Sequence, residues 1–206
     1  MPLSRTAGRL SALRLQHLFT MRRWLVLLGA ALVAACGAVP EETSGRAEQV
    51  AQLEADILAL GPNVDPEEAA RAARVAFSYT DQLVREYEIT DPPLVHNTKV
   101  NMGLKPRGLC YHWARDIHTR MAQERFQTLA FTRAVANADN PILLEHTTAV
   151  IMARGDGYMD GLVLDPWRTG GRLVFRPVRG DKYDWKPREA FPARPRSEAP
   201  VRVPEN

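Results

Sequence analysis

Three residues have the types and the order to form a thiol site: Cys110, His146 and Asp165. Cys110 follows Gly108 at the start of "CYHWARDIHTRMAQER", which has helical spacing: Cys110, Ala114 and Ile117 share one stripe, while Arg115, Thr119 and Gln123 face water. A helix N-terminus concentrates unpaired backbone N–H groups and a positive partial charge, and both favour thiolate over thiol. A cysteine so placed can ionise well below the free-thiol pKa of roughly 8.5 and attack a carbonyl near neutral pH. The same N–H groups can stabilise the oxyanion that follows.

Such a nucleophile needs a base, and the base needs an orienting partner. His146 lies in "LLEHTTAVI" and Asp165 ends "GLVLDPW". If both segments are strands of one antiparallel pair, the two side chains come within roughly 5 Å of each other despite the intervening sequence. Each residue alone also has a plainer explanation. Cysteine is among the most buried residue types, so Cys110 also fits core filling. His146 fits a satisfied sheet histidine, and an aspartate before proline fits a turn.

Neighbouring residues add candidates. Asn101 can supply a second oxyanion donor, and His96 and Asn97 can also approach the thiol; nothing in the spacing selects among them. Trp113, Trp167 and Trp185 fit core or cleft-wall aromatics, with Trp167 also a candidate for substrate binding. Zinc at Cys110, His112 and His118 is disfavoured, because separations of two and six do not share a helix face. His112 is then expected at the site rim and His118 on the surface, with no metal and no cofactor.

The elements that must position these residues follow from periodicity. "RAEQVAQLEADILAL" places Val50, Leu53, Ile57 and Leu60 at helical spacing, and Gly61-Pro62 stops it. Asp65-Pro66 then offers an N-cap and a proline at the first helical position for "EEAARAARVAFSYTDQLVREY". "ITDPPLVHNTKVNMGLKPRG" has no sustained period and is expected to be a long loop, a length often associated with function. After the Cys110 helix the period changes to two: "FQTLAFTRAV", "ILLEHTTAVIMAR", "DGLVLDPW" and "GRLVFRPV" predict an antiparallel sheet of about four strands. Helices followed by a sheet make an α+β domain, placed at residues 48–186. The proline-rich residues 187–206 are expected to be a disordered tail.

The net charge of +3 is misleading about partners. Residues 1–35 carry Arg5, Arg9, Arg14, Arg22 and Arg23 and no acid; without them 22 basic side chains face 24 acidic ones, a net of −2. The remainder has no basic excess to suggest nucleic acid. "MRRWLVLLGAALVAAC" places two arginines before an apolar run too short to span a bilayer, the pattern of a secretory signal over residues 1–35. Met21 can itself serve as the start, since Met21 to Cys36 is a complete signal.

Val33-Ala34-Ala35-Cys36 resembles the lipobox of bacterial lipoproteins, in which the cysteine becomes the lipidated N-terminus. The resemblance implies an acylated Cys36, a polar tether over residues 36–47, and a domain held at the cell envelope facing the periplasm, at the outer membrane in preference to the inner. Two acyl chains hold a protein where one binds only marginally. Lipidation also leaves Cys110 without an intramolecular partner; otherwise a Cys36–Cys110 disulfide stays open.

Gly108-x-Cys110-x-x-x-Ala114, then His146 in a strand, then Asp165-Pro166 ending the next strand, resembles the transglutaminase-like superfamily of papain-like cysteine enzymes. The resemblance covers residues 108 to 167. It implies a catalytic helix packed on an antiparallel sheet, Cys110 as nucleophile, His146 as general base and then acid, and Asp165 as orienter of the imidazole. It also implies a peptide, protein or cell-wall amide as substrate, with water or an amine resolving a thioester. The chain departs from many members in having Thr147-Thr148 after the histidine, with Trp167 instead following the aspartate. A non-catalytic envelope lipoprotein of the same fold, binding a peptide or protein, is the alternative. Oligomeric state has no signature in the sequence.

Overall fold

A computed structural model describes residues 41–191, with side chains from residue 45. Among the described residues, those from Ala47 onward form one compact unit. The fold is α+β: four helices and one antiparallel five-stranded sheet among the described residues. The expected signal segment, Cys36 and residues 192–206 lie outside them. No described helix is long and apolar enough to cross a membrane.

Helix α1 (Glu41–Leu58) buries Leu53 and Ile57 at the expected spacing. It begins at Glu41, so part of the segment expected to be tether is helical. Helix α2 (Pro66–Glu86) starts as predicted: the Asp65 carboxylate accepts from the Glu68 N–H at 2.9 Å, and Pro66 occupies the first turn where no N–H is needed. Its buried stripe of Ala69, Ala72, Ala73, Ala76, Phe77, Thr80 and Leu83 is mostly small, so the backbone packs close to its neighbours.

The segment expected to be one long loop contains a third helix, α3 (Pro93–Asn101). Only His96 in it is buried, so it carries no apolar stripe for periodicity to reveal. Pro93 at the first turn was the available signal. Helix α4 (Cys110–Gln123) buries His112, Trp113, Ala114, Ile117 and Met121.

The sheet order is β4-β3-β2-β1-β5, with β1 Leu129–Ala136, β2 His146–Ala153, β3 Leu162–Asp165, β4 Val174–Pro177 and β5 Lys186–Pro187. β1 and β2 pair from Leu129↔Ala153 to Ala136↔His146, and β3 pairs with β2 through Ala149↔Leu164. Strand β2 alternates between two cores rather than between core and water. Ala149, Ile151 and Ala153 join the large cluster that contains Trp113 and Ile117 of α4, whereas Val150 joins a smaller cluster with Val163, Val178 and Trp185.

The fifth strand departs from the expected four. Lys186 and Pro187 pair with Val135 and Ala134, and the buried Arg188 donates from Nη1 to the Phe191 carbonyl at 2.7 Å. Residues 187–191 therefore belong to the folded domain and not to the tail. Pro187 has no N–H to donate, which an edge strand tolerates.

Candidate active site

The turn before Cys110 is held at every backbone polar group that it exposes inward. The Arg107 carbonyl accepts from His96 Nε2 at 2.8 Å, and the Gly108 carbonyl accepts from the Trp113 indole at 3.0 Å. The Gly108 and Leu109 N–H groups donate to His112 Nδ1 at 3.1 and 3.2 Å, and the Leu109 carbonyl accepts from the His112 and Trp113 N–H groups. Asp116 anchors the preceding side chain, accepting from Tyr87 at 2.7 Å and pairing with Arg107.

Gly108 has φ 122°, a conformation that L side chains rarely adopt, and a Cβ there would sit 2.4 Å from His96 Nε2. Glycine is thus required where the chain turns into α4. As the first residue of that helix, Cys110 has no intrahelical acceptor for its own N–H, which can turn to an oxyanion.

His112 is buried and not a rim residue, because both of its lone-pair acceptances are internal to the turn. Burial, then the charges of Arg107 and Arg115, push its pKa down to about 3, so it remains neutral with the proton on Nε2. His118 is half-buried and not a surface residue, and burial lowers its pKa most. The described residues hold no group of three or more histidines, cysteines, aspartates or glutamates able to bind a metal.

Cys110 is a free, half-buried cysteine whose Sγ lies 3.7 Å from the Glu145 carbonyl oxygen, a long and weak contact. That contact places the α4 N-terminus at the end of the sheet where β2 begins. The next residue is His146. Its Nε2 lies 2.6 Å from Asp165 Oδ2, and its buried Nδ1 has no hydrogen-bond partner. The Cys110 thiol acts electrostatically on the same ring. Imidazole has two nitrogens, so with Nε2 committed to Asp165, Nδ1 is the one left for sulfur.

The electrostatics follow this order. Burial alone would lower the His146 pKa, but the charge and hydrogen bond of Asp165, then those of Cys110, raise it to about 9. Burial alone would raise the Asp165 pKa, but His146 and Arg168 hold it below the ordinary carboxylate value. The imidazolium and carboxylate are therefore both charged at neutral pH. Removing such a pair from water costs several kcal/mol per ion unless hydrogen bonds compensate. Asp165 has those bonds: it also accepts from Arg168 Nε at 2.9 Å and from the Arg168 N–H at 3.3 Å.

Aromatic rings seal the pair from solvent. Trp167, Tyr183 and Trp185 stand with ring centroids 4.6, 4.8 and 5.3 Å from that of His146. Trp167 donates from its indole to Asn97 Oδ1 at 3.0 Å, which fixes α3 against the site. Of the residues read from sequence, Cys110, His146, Asp165 and Trp167 come together. Asn101 is exposed at the last position of α3, while Asn97, one turn earlier, connects to the site through Trp167. Arg168, Asp181 and Tyr183 were not anticipated. They come from loops without periodic pattern, and the only local clue was the aspartate–proline turn that brings Arg168 back beneath Asp165.

One cavity among the described residues, about 500 Å³, is lined by Asp65, Glu67, Glu68, Arg71, Arg74, Gln127 and Thr128 and includes none of these residues. Glu68 in it is already used internally, accepting from Gln127, Thr128 and the Thr128 hydroxyl. Comparisons with protein-family models, curated proteins and solved structures found no match.

Proposed function

We propose that the domain is a transglutaminase-like cysteine hydrolase or acyltransferase that cleaves amide bonds through a thioester on Cys110. The observation that carries this reading is the buried His146–Asp165 pair on the end of the sheet where Cys110 stands, with the second ring nitrogen of His146 uncommitted. Core filling by Cys110 would not require a charged imidazolium beside the sulfur.

The chemistry follows from those positions. With the thiol proton already held on His146 Nδ1 in the imidazolium form, the Cys110 thiolate attacks the amide carbonyl carbon to form a C–S bond. The oxyanion lies against the Cys110 N–H and the positive end of α4. As the C–N bond breaks, His146 returns its proton to the leaving amine, giving a free amine and an acyl-thioester. Water or a second amine, deprotonated by His146, then attacks the thioester and releases the thiol. Asp165 stays ionised throughout and keeps Nε2 as the donor.

Ile142, Leu143 and Leu144 immediately precede Glu145 and are exposed, Ile142 at 90%. Asn140 Oδ1 accepts from the Ile142 and Leu143 N–H groups, and Asn137 donates to the Leu144 carbonyl. Three of the loop's backbone polar groups are thereby occupied, and its apolar side chains face outward beside the thiol. This favours peptide or protein substrates with apolar groups next to the scissile amide.

We place the protein at the cell envelope as a lipoprotein anchored through Cys36, on the lipobox resemblance. Mass spectrometry of the mature N-terminus tests the anchor: diacylglycerol on Cys36 supports it, and cleavage elsewhere removes it. Incubation with peptides and cell-wall fragments, with and without Cys110→Ser, tests the activity. Substrate turnover or amine incorporation must require the thiol.

A further inference from the structure

We propose that Arg168, braced by Asp181, is the positioning residue that keeps Asp165 a pure acceptor, and so holds His146 in the tautomer that can take the thiol proton. The inference rests on the catalytic reading of Cys110, His146 and Asp165.

The geometry is a closed circuit. His146 Nε2 meets Asp165 Oδ2 at 2.6 Å, and the same oxygen accepts from Arg168 Nε at 2.9 Å. The other two guanidinium nitrogens of Arg168 fork onto the two Asp181 oxygens at 2.9 and 2.8 Å. Asp181 Oδ2 in turn accepts from the Trp185 indole at 2.8 Å, and Trp185 packs back on the His146 ring. Tyr183 fills the middle, its ring packed at a tilt against both His146 and Trp185 with the Arg168 guanidinium 5.0 Å over it. The groups facing Asp165 are thus His146 from β2 and Arg168 from its own turn. Asp181 lies behind Arg168, and Cys110 of α4 lies behind His146.

The chemical need for Arg168 arises during turnover. An ionised carboxylate only accepts hydrogen bonds, so His146 Nε2 must carry a proton and Nδ1 keeps a lone pair when the ring is neutral. A protonated Asp165 could instead donate to Nε2, and the neutral ring would then present Nδ1–H to the sulfur, unable to accept from it. While His146 is cationic, it and Arg168 together hold Asp165 ionised against burial. Once His146 has handed its proton to the leaving amine, that cation is gone and burial favours protonation of Asp165. Arg168 cannot lose its proton at any working pH. It therefore remains the counter-charge for Asp165 through the whole cycle. Its second carboxylate partner, Asp181, keeps a nearly buried guanidinium from being an uncompensated charge, and the bidentate fork fixes its plane.

The test uses Arg168→Met combined with Asp181→Leu, which removes the brace as a neutral pair and leaves similar volume. Folding is checked by circular dichroism and thermal melting. The folded double variant should show His146 in the Nδ1–H form by long-range ¹H–¹⁵N correlation. Cys110 should alkylate with iodoacetamide at least about tenfold more slowly than in wild type near neutrality. Arg168→Lys, which keeps the charge but loses the fork, should recover part of that rate. A folded double variant with unchanged tautomer and unchanged alkylation overturns the proposal, since a merely structural brace leaves both untouched once the fold survives. Should the double variant not fold, the Asp165 carboxyl ¹³C shift of wild type decides. An ionised value from about pH 5 to 8 supports the proposal, and titration inside that window overturns it. His146→Ala separates this idea from its premise: alkylation unchanged there refutes the thiol–imidazole pair, whereas alkylation slowed there but not in the double variant refutes only the brace.

Discussion

His146 and Asp165 are 19 residues apart in sequence, on neighbouring strands, and meet at 2.6 Å with both side chains almost fully removed from solvent. Carbon packing does not explain that pair, because a buried ion pair is seldom worth more than an apolar replacement of similar volume. In the proposed function its value lies in what it does to the imidazole beside Cys110.

The pair makes stability depend on pH in a defined direction. Folding raises the His146 pKa from 6.5 to about 9, so between those values the folded protein binds more protons than the unfolded chain. The contribution is fully present below pH 6.5 and is lost as pH rises through 9. Urea unfolding of wild type and His146→Gln across this range should show their stability difference shrinking with rising pH. A difference that grows would contradict the charge assignment.

Removing Asp165 should be costly for the fold as well as for the thiol. Asp165→Ala leaves the Arg168 charge half-compensated and the His146 Nε2–H without an acceptor, a loss of about 3–5 kcal/mol by urea unfolding. Asp165→Asn keeps the shape but removes the charge, so it should fold better than the alanine variant while Cys110 alkylation still slows. Equal stability of Asp165→Ala and wild type would mean that the carboxylate is not buried and paired as described.

Gly108→Ala tests the turn that aims the cysteine. The added Cβ lands 2.4 Å from His96 Nε2 in a backbone conformation unfavourable to alanine. The expected cost is about 1–3 kcal/mol, with slower alkylation of Cys110 as the turn shifts. His96→Ala relieves the contact but not the φ strain, so the double variant should recover only part of the stability.

The apolar loop can be probed without disturbing the chemistry. Ile142→Asp and Leu143→Asp should leave alkylation by the small reagent iodoacetamide unchanged, because neither side chain belongs to the triad. With a peptide carrying apolar residues beside the scissile amide, KM should rise by about tenfold for each lost apolar contact of 1–2 kcal/mol. An unaltered KM would remove the loop from substrate recognition.

Much of this arrangement was legible in the sequence because its signals are local. Asp65-Pro66 announces the start of α2, Gly108 before Cys110 marks a helix entry, and alternation around His146 and Asp165 predicts neighbouring strands. What escaped notice is what lacks a period or depends on distant partners. Helix α3 buries only His96, so no stripe betrays it. β5 has two residues, too few for alternation. His112 was placed at the rim because helical spacing does not reveal that an imidazole three positions into a helix can fold back onto the turn before it. The Arg168–Asp181 pair spans loops whose meeting is set by the whole fold.

The most direct measurement of the central claim is the rate of Cys110 alkylation by iodoacetamide near neutral pH in wild type and in His146→Ala, with folding verified in both. If the imidazole holds the thiol proton, the wild-type cysteine should label fast, and loss of His146 should slow it by about 10²-fold or more. Equal, slow labelling of the two proteins would contradict the account and leave a fold that binds without catalysis.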